Sequence, residues 1–526
     1  GFGGGKDTVD FDAAFDTSDL TLGSGNDSVI VGGTSDQATL YGGDGNDSFT
    51  ITGASTKLVL QDTQDKSSVR IDGNTTDGTI TLGSGTDSVI NVGGDEQLIT
   101  TTVDLAGGND TIDFDDLLGA TLKAGDGADS LVLSGEFDNQ GDANTTVYLG
   151  GGNDTMSLAL TADDFTLESS AGNNRITILG NVGAETAATF TNTITLGSGA
   201  DTLDLAGVVT KTVTKMGDGN DSIILGEDFE AGTGTNTVFG GAGTDTIRLN
   251  EAGKGVADAA FTNWSGIEVV TFAPGNNNDD LNLGLKAQAT GITKATVEGT
   301  GSNIVATNMT TGVELIASGT DNDLTGGSGA DTLTGGTGAN VITSNAGNDT
   351  MSGGAGADVF TVNGTAAQTV TITDFGTGGG GDSVATSATA TTNVTVVAAV
   401  TAGDAVNKGT TNVTITDDVV AGGTVTFAAV DGAAVGEKGF NISSTANNNS
   451  IAIVGGGLAD TIVAGTGDET LNGSAGIDTI TGGTGEYDID WDGPGEYDFD
   501  GEDLPMVSSG DYNIEVVDAE GCSTSE

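Results

Sequence analysis

The pattern G-x-G-x-D occurs 12 times in the 526 residues, where independent draws from the same composition would give on the order of 2. A chain that returns to one turn at a regular interval must coil rather than close around a single compact core. The copies are LGSGNDSV (Gly23, Gly25, Asp27), GGDGNDSF (Gly43, Gly45, Asp47), LGSGTDSV (Gly83, Gly85, Asp87), LAGGNDTI (Asp110), AGDGADSL (Gly125, Gly127, Asp129) and LGGGNDTM (Gly150, Gly152, Asp154). LGSGADTL (Gly197, Gly199, Asp201), MGDGNDSI (Gly217, Gly219, Asp221) and GGAGTDTI (Gly241, Gly243, Asp245) follow, and the opening GGGKDTV adds Asp7. Aligned on the acid, with degenerate copies near Asp65 and near Asn174, they define a period of about 22 residues. A second period is nine: it joins Asp331, Asn340, Asp349 and Asp358, with Gly327, Gly329, Gly354 and Gly356, and then Asp460, Glu469, Asp478 and Tyr487.

After each acid comes Ser or Thr and then Val, Ile, Leu, Met or Phe, and stretches such as TITL from Thr79 and RITIL from Arg175 alternate with period two. These read as short strands between glycine turns. Glycine permits φ > 0 and close backbone approach, so successive carbonyl oxygens converge on one centre, and Asp adds a charged oxygen. Calcium takes six to eight oxygens at roughly 2.3–2.6 Å in a forgiving geometry, more than one turn supplies. Two stacked turns suffice, so ion binding requires neighbouring coils in register. That register is set by the apolar residue two after the acid, which faces the interior. The expected fold is an all-β, right-handed parallel β-solenoid or β-roll. In the 22-residue region one edge carries a calcium ladder, and ordinary turns such as VGGTSDQ from Val31 close the other. In the nine-residue blocks two turns and two strands make an 18-residue coil with an ion column along each edge.

Composition agrees. Only 35% of the chain is apolar, and 90 Gly against 3 Pro excludes collagen. The net charge of −62 comes from 76 acidic residues, of which 58 are Asp, the acid of turns and ion sites. Such a chain repels itself, nucleic acid and anionic lipid, and its natural counter-ions are cations. With no His and with Cys522 as the only cysteine, an intrachain disulfide, a Cys/His zinc site and a His-based catalytic triad are all ruled out. No catalytic residue is assigned. No apolar run of 18 residues occurs, so no membrane insertion is expected. Gly1 in place of Met is the mark expected of a processed or partial chain. Asn26, Asn46, Asn109, Asn153, Asn220 and Asn348 each fit N-x-S/T, which the turn explains better than glycosylation does. Trp264 and Trp491 read as packing residues.

Texture divides the chain into a solenoid over 1–250, a metal-poor β segment over 251–325, a nonapeptide block over 326–362, a Thr/Val/Ala-rich β segment over 363–453, a second block over 454–488 and an acidic β segment or tail over 489–526.

The nonapeptide in GGSGADTLTGGTGANVI from Gly326 resembles the repeats-in-toxin (RTX, haemolysin-type) calcium-binding repeat. TVTITDFGTGGGGDSV from Thr369 resembles the segment that follows such blocks, placing Asp374 and Asp382 as further ligands. With its Thr/Ala/Val-rich segments and SGIEVVTF, the whole is similar to bacterial surface-layer proteins carrying these repeats. The resemblance implies multiple bound calcium ions, export by a one-step (type I) secretion system, calcium-driven folding outside the cell and self-assembly into a lattice or filament. Its partners would be further copies of the chain and cell-surface polysaccharide. Two alternatives stand beside this: an adhesin stalk or export portion of a larger secreted protein, and a calcium-dependent β-helix polysaccharide lyase. The second is disfavoured because a chain of charge −62 repels a polyuronate.

Overall fold

The structure, a computed structural model, describes residues 2–490 except 63–64, 92–96, 136–143, 161–164, 184–190, 227–235, 251–254, 273–277, 365–367, 377–380, 387–390, 397–399, 402–404, 408–409, 417–418, 420–423, 428–438, 468, 474–477 and 482–487, and beyond them the antiparallel strands Glu515–Val517 and Ser523–Ser525. Tyr487 and Trp491 lie outside the described residues. The protein is all-β, with about 3% helix, and is built as a parallel β-solenoid. Packing divides it into two compact units, residues 1–251 with 259–270 and residues 252–258 with 271–526.

In the first unit each glycine turn leads into a strand of one parallel sheet, and the chain returns through a second. Thr8–Phe11, Ser28–Val31, Ser48–Ile51 and Ser68–Ile71 stack coil upon coil, with Ser28 beside Ser48, Val29 beside Phe49 and Val31 beside Ile51. The return sheet holds Thr39–Tyr41, Val59–Gln61 and Thr79–Thr81 in equivalent pairing. Two-to-three-residue strands from Ser35–Asp36 to Asp116–Leu118 form a narrow third sheet at the far corner. Alternation decides what lies inside: Val29, Phe49, Val69, Val89 and Ile112, two places after the rung position of their turns, are at most 1% exposed, while their Ser and Thr neighbours face outward. Apolar burial therefore holds each coil to one register, since a slip of one residue would turn the buried set outward.

Among the described residues the buried bonds of the far corner are made by hydroxyl and amide groups. Ser35 and Ser55 hydroxyls bond at 2.9 Å, Thr101 donates its hydroxyl to the Thr75 carbonyl at 2.9 Å, and Asn192 accepts the Phe165 N–H at 3.1 Å.

In the second unit the nine-residue period has a direct structural meaning. Thr332–Thr334 and Thr350–Ser352 belong to one sheet, Val341–Ser344 and Val359–Val362 to the facing one. Nine residues thus make half a coil, and like pairs with like 18 positions on, Thr332 with Thr350 and Val341 with Val359. The Thr/Val/Ala-rich stretch continues the same stacking, through Thr391–Val396 and Thr410–Thr416. Its Asn393, Asn412 and Asn441 form a surface ladder of side-chain amides, each bond 3.0 Å long. Phe360, Phe375, Phe427 and Phe440 form a buried aromatic series with centroid spacings of 6.1, 6.0 and 5.1 Å. One short helix, Leu285–Thr290, is capped from outside by Asp258, which accepts the Lys286 and Ala287 N–H groups at 3.2 and 2.9 Å. Trp264 in the first unit is 6% exposed and packs edge-on against Phe261.

Candidate metal centre

The glycine turns stack so closely that the coil below leaves no room for a side chain. A Cβ on Gly43 or Gly45 would collide with the carbonyl oxygen of Gly23 or Gly25, and both residues hold positive φ (113° and 121°). In that stack the Asp side chains meet main-chain groups of the adjacent coil. Asp7 donates its N–H to Asp27 Oδ1, and Asp27 donates to Asp47 Oδ1, each at 2.7 Å. Ser67 donates to Asp87, Asp87 to Asp110 and Asp110 to Asp129, again at 2.7 Å. The contacts continue through Asp154, Asn174, Asp201, Asp221 and Asp245 at 2.7–3.0 Å. They reach Glu268, whose carboxylate accepts the Asp245 N–H at 2.8 Å.

Each rung uses one carboxylate oxygen in this way. The other, Oδ2, is buried with no hydrogen-bond partner at Asp27, Asp47, Asp87, Asp110, Asp129, Asp154, Asp201, Asp221 and Asp245, and in the second unit at Asp349, Asp358 and Asp478. Such orphaned oxygens are rare in native interiors and call for an ion. Burial also shifts the titration of these carboxyls. Burial raises the carboxyl pKa of Asp110 to about 7, and those of Asp154, Asp221 and Asp349 to about 6, against the lowering effect of the neighbouring coil's N–H.

The donor set suits calcium. Main-chain carbonyls, hard oxygens of the kind calcium takes, lie beside the carboxylates: the place of a Cβ on Gly240 is shared by Asp245 Oδ2 and the Gly266 carbonyl oxygen, and that on Gly455 by Asp460 Oδ2 and the Gly473 carbonyl oxygen. Glycine also keeps space before the orphaned oxygen. A Cβ on Gly42, Gly240 or Gly473 would lie 2.7, 2.5 or 2.5 Å from Oδ2 of Asp47, Asp245 or Asp478, and one on Gly353 would fall against Asp358.

The second unit carries rungs on both edges. Along one, Val313 donates to Asp331 and Asp331 to Asp349, at 3.0 and 2.9 Å. Along the other, Ser302, Asn322, Asn340 and Asp358 donate in turn to Asn322, Asn340, Asp358 and Asp382 at 2.8–3.0 Å. In the last block Phe440 donates to Asp460 and Asp460 to Asp478, at 2.7 and 2.8 Å. Asp331, Asp382 and Asp460 also accept a turn N–H on their second oxygen, from Gly327, Gly376 and Gly456. Asn340 turns its amide nitrogen toward Asp358 Oδ1 and the Gly353 carbonyl, both at 3.2 Å. Asp374 sits off the rungs and accepts from Ser352 Oγ, Gly353 N–H and Gly354 N–H at 2.6, 2.9 and 2.8 Å, bracing the next turn. Glu469 takes the Gly465 N–H at 2.9 Å, reaching back along its own turn.

Of the two degenerate copies, one differs from the motif alignment and one agrees with it. The degenerate copy near Asp65 has its rung at Ser67, while Asp65 takes a glycine's place in the turn with φ 63°. The copy near Asn174 has its rung at Asn174 itself. Glu268, within the segment that reads as metal-poor, was not legible as a rung because no Gly-x-Gly precedes it. The six Asn of the N-x-S/T matches form an outer ladder: each side-chain oxygen accepts an N–H from the next coil at 2.7–3.1 Å.

No curated protein matches the chain. The family model of the RTX calcium-binding nonapeptide repeat (4 copies) matches residues 225–251, 325–360 and 454–487. These contain turns whose first place is glycine (Gly240, Gly326, Gly335, Gly353, Gly455, Gly473), whereas Leu22, Leu82, Leu105, Leu149 and Leu196 fill that place in much of the first unit. No helix among the described residues is long and apolar enough to cross a membrane. The chain thus carries RTX repeats, typical of secreted proteins, on a β-roll framework, and takes several calcium ions as its cofactor.

Proposed function

We propose that this is a calcium-dependent structural protein of the bacterial cell exterior, without catalytic activity, exported unfolded by a type I system and self-assembling into a surface lattice or filament after calcium folds it. The carrying observation is the row of buried Asp oxygens without partners. At low calcium these carboxylates repel within a glycine-rich chain of charge −62, which favours the unfolded, exportable state. At millimolar calcium, ions bridging adjacent turns through Asp27, Asp47, Asp87 and their counterparts remove that cost and lock the register. Self-assembly would draw on the same strand-to-strand pairing that joins the coils, since a solenoid edge left uncovered offers that pairing to another copy. Negative-stain electron microscopy of the purified chain, with calcium and with chelator, tests the reading. Ordered arrays or filaments that dissolve on chelation are the expected result; dispersed single particles at all calcium levels would remove the assembly role.

A further inference from the structure

One coil of the first unit loses its rung carboxylate and regains a carboxylate from elsewhere. After Asp47 the rung position is Ser67, which still passes its N–H to Asp87 at 2.7 Å but brings no charge. Five residues earlier, where the adjoining coils place Gly42 and Leu82, stands Asp62. It is 1% exposed, and Ser67 donates its hydroxyl to Asp62 Oδ2 at 2.5 Å.

Asp62 turns toward Asp47. A Cβ on Gly42 would lie 2.6 Å from Asp62 Cγ and 2.7 Å from Asp47 Oδ2, so both carboxylates share the space that this glycine leaves open. Asp47 is 2% exposed, and its Oδ2 has no hydrogen-bond partner. Two carboxylates withdrawn from water and facing each other cannot both stay ionised without a cation between them; the alternative is one shared proton. In most other coils of the first unit that place holds an apolar side chain, such as Leu22, Leu82, Leu105, Leu149 or Leu196, and the coil offers the carboxylate of its rung alone. Calcium affinity rises with the number of charged ligands in a site.

We propose that Asp62 is a calcium ligand, and that Asp47 and Asp62 hold one ion between them in the tightest site of the first unit, the one that fills first and seeds the ladder. This rests on the calcium-ladder reading and extends it to a residue outside the repeat's own pattern.

The test is calcium binding to the full-length chain by equilibrium dialysis with calcium alone, from sub-saturating to saturating levels. It compares the parent with Asp62→Asn, Asp27→Asn, the outward-facing control Asp113→Asn and the double variant Asp62→Leu/Ser67→Asp. Asp62→Asn is expected to lose one ion and the tightest phase, weakening the first binding event roughly ten-fold or more. Asp27→Asn should lose an ion but keep the tightest phase, and Asp113→Asn should lose neither. The double variant, which installs the neighbouring coils' pattern, should regain the ion count at ordinary affinity. If Asp62→Asn keeps both count and tight phase while Asp27→Asn loses an ion, the proposal falls and the ladder reading stands. If Asp27→Asn also loses nothing, the ladder reading falls. An Asp62→Asn chain that folds more readily without calcium, at unchanged ion count, would show a shared proton and overturn the proposal. Should Asp62→Asn fail to fold even in calcium, recovery by the double variant supports ligation, and failure of both assigns Asp62 to packing and overturns it.

Discussion

From Asp27 to Asp245 a rung aspartate divides its two oxygens: Oδ1 ties one coil to the next, and Oδ2 is buried without a hydrogen-bond partner. The metal-free state therefore carries a pH signature. The carboxyl of Asp110 is held at about 7 and those of Asp154, Asp221 and Asp349 at about 6, against about 3.9 in an unfolded chain. Because these folded values are raised, protons favour the folded state, and their contribution is complete below about pH 4 and lost as pH rises through about 6 to 7. In chelator, acidification from about pH 8 to about pH 5 should increase β-structure by circular dichroism, and over the same range the calcium midpoint of ion binding to the folded chain should rise as protons compete for the same oxygens, while the calcium needed for half-folding should not rise. A binding midpoint flat across that range would contradict the ladder. Gly353→Ala, which sets a methyl group against Asp358, should raise the calcium midpoint of folding and lower stability in saturating calcium by about 1–3 kcal/mol, as read by chemical denaturation. The rung acids and turn glycines were legible in the repeats. Ser67, Asp62 and Glu268 were not, because their roles depend on which coil lies beside them, and the motif carries no information about that.

At the scale of the strand and turn, the coil is held by apolar burial as well as by ions. The aromatic series through Phe375 and Phe427, with centroids 6.0 Å apart, links coils of the Thr/Val/Ala-rich stretch to the neighbouring nonapeptide coils. Phe375→Ala should cost about 3–5 kcal/mol in calcium-saturated chemical denaturation while leaving the number of bound ions unchanged, which separates core packing from ligation. The two-edged geometry of the nonapeptide blocks could be read directly from a period of nine, since half a coil brings each acid to alternate edges. The coils of the first unit were harder to read. Their rungs fall 19 to 27 residues apart, because the number of residues between strands varies from coil to coil while the rung register holds. A far corner closed by ordinary turns was expected there, but its third sheet was not, since strands of two residues such as Ser35–Asp36 leave no periodic trace.

For the whole molecule, the proposed function makes calcium binding and folding one equilibrium. Chelation should unfold the chain cooperatively with loss of β-structure and of any ordered assembly, and magnesium at equal concentration should not restore them, because its small octahedral shell matches turn carbonyls poorly. Added monovalent salt should lower the calcium midpoint only modestly, since it screens exposed charge better than the buried rungs. Magnesium supporting full folding would count against a calcium-selective ladder. The sequence by itself determined the all-β coil, the calcium-type turns and the buried apolar position, because each follows from residue type at fixed spacing. The tertiary structure alone decided which group stands on the rungs that the motif does not mark, Ser67 and Glu268, and which oxygen is left without a partner. It also brought Asp62 in from outside the motif to face Asp47. Those outcomes arise only when two coils distant in sequence are stacked, and the stacking register is set jointly by apolar burial along the strands and hydrogen bonds across the turns.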